Sequence, residues 1–249
     1  MRNMKSVGWE IRFGLFLVLL SALLYFIHYV IFRDSHHILI YMLGDIAFVP
    51  IEVLLVALVL HRLLNMREKR AMLNKLNMVI GAFFSEVGRD LLAYFSEYDP
   101  KLDKIRKELV ITDKWSEQEF RDINKRLKNY DYEVDIRDVD LEHLRNSLIG
   151  HRNFLLRLLE NPNLLEHESF TDLLWAVFHL TEELAKRGDL KQLPDTDYKH
   201  LSGDIKRTYT LLIHEWLDYM RHLKDNYPYL FSLAMRTNPF DQDASPIIR

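Results

Sequence analysis

The stretch ILIYMLGDIAFVPIEVLLVALVL, residues 38–60, decides how this chain is read. Its 23 residues carry only two formal charges, Asp45 and Glu52. At about 1.5 Å per helical residue, about 20 apolar residues cross a hydrocarbon core about 30 Å thick. The run therefore predicts a membrane-spanning helix, in which the two acids are the anomaly. A carboxylate at membrane depth costs about 2.5–3.5 kcal/mol on insertion scales. Residues seven apart differ by only about 20° around a helix, so both acids point the same way. That shared face is expected to look into water, a partner helix or a pore.

Working outward, Phe13–Phe32 is a 20-residue stretch without a formal charge, and it predicts a first span. Arg2, Lys5 and Arg12 ahead of it resemble the basic region of a signal peptide. Signal cores run about 7–15 residues, however, and no small-x-small cleavage site precedes Arg33, so a retained helix is expected. The same three basic residues before the first span, and Arg62, Arg67, Lys69, Arg70 and Lys75 after the second, outweigh the single arginine in the connector Arg33–His37. The bias of basic residues toward the cytoplasmic side then predicts both termini in the cytoplasm, the connector outside, and a plasma-membrane location. Trp9 and Tyr41 are expected at the membrane interfaces, and Arg62, Arg67, Lys69 and Arg70 against anionic lipid.

Averages conceal this segregation. The 249 residues are 49% hydrophobic and 28% charged, with a formal net charge of −3 and a mean hydropathy of −0.14, values that look soluble. The absence of cysteine fits a reducing compartment.

Beyond residue 60 the pattern stays helical. Reading every seventh residue from Asp45 gives Glu52, Val59, Met66, Leu73, Ile80 and Val87. One such position held over many repeats predicts a supercoiled stalk, whereas an ordinary core-facing helix over 73–95 is the simpler account. Ser116 with Glu119 is a capping-box signature that opens a helix to about Asn129. Residues 130–137 read as a loop. Helices are expected over 139–160, 170–187, 197–224 and 227–235, broken at Asn161-Pro162-Asn163, at Gly188 through Pro194, and at Asn226 with Pro228. The reading is an all-α membrane protein. Its parts are a tail (1–12), spans 13–32 and 38–60 around a loop (33–37), a stalk (61–98), a cytoplasmic helical bundle (99–240) and a loose end (241–249).

The acids carry the candidate chemistry. Asp45 falls level with Tyr25 and His28 of the first span, either of which offers it a hydrogen bond. Glu52 falls level with Leu17, Val18, Leu19 and Leu20, so it must be protonated, hydrated or met by another copy. Pro50 between them withholds a donor from the Ile46 carbonyl and predicts a kink. Copies packed around this face would stack two acidic rings, which select cations, with Val56 and Val59 as an apolar gate. In outline this resembles the mitochondrial calcium uniporter family, which has two spans, termini on one side and acids opening the second helix. That motif sets Asp and Glu three residues apart after a tryptophan, whereas Gly44 to Glu52 has a spacing of seven and no tryptophan. The expected function is a homo-oligomeric cation channel, and the alternative is a membrane-anchored signalling or binding module without conductance.

Other patterns are weaker. His214, Asp218 and His222 repeat every four residues opposite the apolar face of their helix, as a solvated stripe would. His179 and Glu183 form an H-x3-E pair of the kind found in hemerythrin-like bundles, without the matching H-x3-H. Trp175 shares the polar side of His179 and Glu182 and predicts a contact surface. No P-loop, dinucleotide fingerprint, HExxH or nucleophile elbow is present, so no enzymatic activity, cofactor, metal or nucleic acid is expected.

Overall fold

The computed structural model describes residues 4–247. Arg2 of the basic N-terminal set and the last two residues of the expected tail lie outside the described residues, as do the side chains of Lys5 and Arg70.

Among the described residues the chain is all-helical. Its helices are α1 (Met4–Phe32), α2 (Ser35–Phe83), α3 (Arg89–Glu97), α4 (Arg106–Leu109), α5 (Glu117–Leu127), α6 (Leu141–Leu159), α7 (Glu168–Lys186), α8 (Asp195–Asn226) and α9 (Pro228–Arg236). Two compact units divide it, one ending at Glu68 and the other beginning at Lys69.

The first unit is α1 and the front of α2. Ile11–Phe32 and the stretch from Ser35 to Lys69 are long and apolar enough to cross a membrane, and neither window buries a residue within the protein. A helix apolar on every side has no preferred face to turn inward, which is why packing inside one chain does not cover these two. The link between them is shorter than the expected loop. Arg33 takes a left-handed conformation (φ 48°) and donates its N–H to the Tyr29 carbonyl at 2.8 Å, ending α1. Asp34 Oδ1 then accepts the His37 N–H at 3.1 Å and caps α2, so residues 35–37 are its first turn. Pro50 lies inside α2, which continues past it.

The second unit has one core. α8 is its axis: α3, α5, α7 and α9 all pack on it, and α6 packs on α7. Leu201, Ile205, Tyr209, Leu212, Ile213, Trp216 and Met220 recur along α8 at helical spacing and are fully buried or nearly so. The expected stalk divides accordingly. From Leu76 the rest of α2 belongs to this core through Ile80 and Phe83, and the stripe of every seventh residue feeds the chain's own interior rather than a supercoil. A π-turn at Phe84–Gly88 then inserts a residue into the register. The insertion lets two successive aromatics face inward, Phe83 edge-on to Phe170 and Phe84 stacked on Tyr219 at 5.3 Å. The capping box is present as read: Ser116 Oγ accepts the Glu119 N–H, and the Glu119 carboxylate accepts the Ser116 N–H. The C-terminal end is tied at Phe240, which is buried against Trp216.

Candidate functional sites

Asp45 and Glu52 both lie on the exposed surface of α2, with Val56 and Val59 exposed beyond them. Tyr25 is exposed and His28 half-buried, and among the described residues no hydrogen bond joins either to Asp45. What closes around Tyr25 and His28 is the turn itself, where they line a cleft with His37, Ile38 and Tyr41. Among the described residues of the first unit, the two acids therefore have no polar partner. Arg62, Arg67 and Lys69 are exposed.

In the second unit the stripe on α8 is not a solvated face. His214 meets Asn124 of α5 at 2.9 Å, and His222 meets Asn77 of α2 at 3.1 Å. A central helix is packed from several sides, so its polar positions meet neighbours rather than water. Burial holds both imidazoles below the usual histidine range. Glu215 is more extreme: only 3% exposed, its carboxyl is pushed by burial up to about 7. Trp175 does stand clear, 56% exposed on α7, with its ring edge-on to Phe178.

The most convergent group was only half visible in the sequence. On α7, His179 and Glu183 are four apart and share a face; on α8, His200 and Asp204 do the same. The connector Arg187–Pro194 returns the chain so that the two pairs meet. Donor atoms of His179, Glu183 and His200 lie within 4.8 Å of one another. Asp204 forms the floor, its side chain 2% exposed, with Oδ2 3.4 Å from His179 Nε2 and 3.3 Å from His200 Nε2. Each carboxylate also has an oxygen held by an arginine. Arg187 binds Glu183 Oε2 at 2.6 Å and forks onto both oxygens of Asp197 at 2.7 Å, while Arg207 binds Asp204 Oδ1 at 3.1 Å. The Arg187 guanidinium holds the Glu183 carboxyl below the usual carboxylate range. Arg187 is itself fixed by its bond to the Glu183 carbonyl, and Arg145 binds the carbonyls of Arg187 and Gly188 behind it. The missed signal is the second pair: an H-x3-D at 200–204 answers the H-x3-E at 179–183.

Comparisons with known proteins resolve the same two parts. Residues 4–64 match a family model described as MJ1433, N-terminal helical domain, and residues 72–236 match one described as MJ1433, C-terminal helical domain. The gap between them brackets the boundary at Glu68 and Lys69. A relative from Methanocaldococcus jannaschii, named Uncharacterized protein MJ1433, is 53% identical over 238 residues, covering 96% of each chain. No solved structure matches.

Proposed function

The chain belongs to the MJ1433 family through both of its domains, and we propose that it is a two-span membrane protein whose copies associate through α2 to form a cation-conducting path. The observation that carries this reading is the pair Asp45 and Glu52: two acids on one face of an exposed apolar helix, without a partner among the described residues of their own unit. In a bilayer that arrangement costs about 2.5–3.5 kcal/mol per acid unless each carboxylate meets water or another polar group. Self-association around the face removes the cost and creates a hydrated axis. Rings of Asp45 and Glu52 then concentrate cations, and Val56 and Val59 one and two turns on narrow the path with apolar side chains. Both termini lie in the cytoplasm, with Arg62, Arg67 and Lys69 at the anionic inner leaflet.

Cation flux into liposomes carrying the purified chain tests this. Flux above protein-free liposomes is expected, and Glu52→Gln should change it several-fold, because one ring loses its charge. Flux equal to the protein-free level contradicts conduction. That outcome leaves the second reading, a membrane-anchored binding module, which is favoured by the separate core of the second unit and by its convergent histidines and carboxylates.

A further inference from the structure

We infer that His179, His200, Asp204 and Glu183 form a binding site for a divalent transition-metal ion, with zinc the best fit, between α7 and α8. This site lies in the second unit and does not depend on any conduction through α2.

The donor separations match a bound metal. Donors about 2.0–2.1 Å from a tetrahedral Zn(II) lie about 3.3–3.4 Å from one another. Asp204 Oδ2 lies 3.4 Å from His179 Nε2 and 3.3 Å from His200 Nε2, two of the edges such a tetrahedron requires. Glu183 stands slightly farther out, with Oε1 3.8 Å from His179 Nε2 and the Arg187-bound Oε2 3.6 Å from His200 Nε2, so that a small rotation bringing Oε1 inward completes a fourth corner.

Asp204 is also left with an unsatisfied oxygen. Its residue surface is 3% exposed, yet Oδ2 accepts no hydrogen bond. Leaving such an oxygen unsatisfied costs about 1–3 kcal/mol, more for a charged group. A salt-bridge account needs an imidazole to aim an N–H at Oδ2, and neither Nε2 does so despite the short separations. Both imidazole nitrogens thus approach Oδ2 without bonding to it. An ion among them satisfies all three.

The surroundings suit a metal. Arg207 takes Asp204 Oδ1 and leaves Oδ2 facing the histidines; Arg187 ties Glu183 to Asp197 and fixes its position. Outer partners of this kind orient ligating carboxylates in metal sites. Arg187 and Arg207 are positioning residues and do not ligate. His179 and His200 are 44% and 50% exposed, so an ion has an entry path while Asp204 closes the floor. Two imidazoles with carboxylate oxygen suit Zn(II) and its first-row neighbours rather than Mg(II) or Ca(II), which prefer all-oxygen sites.

The test uses the full chain in detergent, purified without a polyhistidine tag, stripped with chelator and titrated with Zn(II) and then Co(II). One equivalent of Zn(II) per chain is expected, with the strong visible absorption of tetrahedral Co(II) and a Zn-dependent rise in Tm. His179→Gln and His200→Gln, both at half-exposed positions, should each weaken Zn(II) binding by at least about tenfold. Together they should abolish the Tm rise while leaving the metal-free Tm within a few degrees of the parent. His214→Gln, about 15 Å farther along α8 than Asp204 and held by Asn124 of α5, should bind as the parent does. No saturable equivalent, unchanged affinity in the double variant, or a weak octahedral Co(II) spectrum would each overturn the assignment.

Discussion

Glu215 shows what one buried side chain does to the whole chain's pH response. Burial raises its folded value to about 7 from an ordinary 4.5. The folded chain therefore keeps a proton that the unfolded chain has released, and this group makes stability fall as pH rises from about 4.5 to about 7. Glu215→Gln removes the penalty. Chemical denaturation should show the variant about 2–3 kcal/mol more stable than the parent at pH 8, with the difference closing below about pH 4.5. Equal stabilities at pH 8 would mean that water reaches the carboxylate. Glu215 did not stand out beforehand, because a periodicity argument assigns one apolar face per helix. The stripe of His214, Asp218 and His222 reads as solvated on that rule. It fails because α8 is packed from four directions and its second face is also an interface. The same limit hid Asp204: an acid between Leu201 and Ile205 reads as a surface residue until α7 is laid against it.

At the scale of elements, local chemistry was a better guide. Ser116 and Glu119 announced α5, and Ser116→Ala should cost about 1 kcal/mol in a denaturant titration, since the orphan Glu119 N–H loses its acceptor. The proline and glycine breaks placed α6 to α9 to within a few residues of their observed ends, because those residues stop helices through the backbone itself. The π-turn had no such advance mark. It follows from two adjacent phenylalanines that must both face inward, and it depends on Gly88. A Cβ there would come 2.6 Å from Phe84 Cδ1 and 2.8 Å from Phe83 Cε1. Gly88→Ala should therefore destabilise the second unit by about 1–3 kcal/mol, read as a lower Tm by circular dichroism. An unchanged Tm would show that the rings repack freely.

For the whole molecule, the division at Glu68 and Lys69 agrees with the break between the two family models. It was not legible from the sequence, because α2 continues through it and no proline or glycine marks the place. What changes there is the covering of apolar residues: before it they are exposed, and from Leu76 they enter the chain's own core. In the proposed membrane-spanning arrangement, Glu52 is the residue that makes a lone copy expensive. Copies are held together, on this account, by the need to surround that carboxylate with water and like helices. The mass of the detergent-solubilised particle, corrected for bound detergent, tests this most directly. A protein mass that is a multiple of 29.8 kDa is the expected result. A particle holding a single chain of 29.8 kDa would contradict the account, since two helices cannot enclose a path for ions.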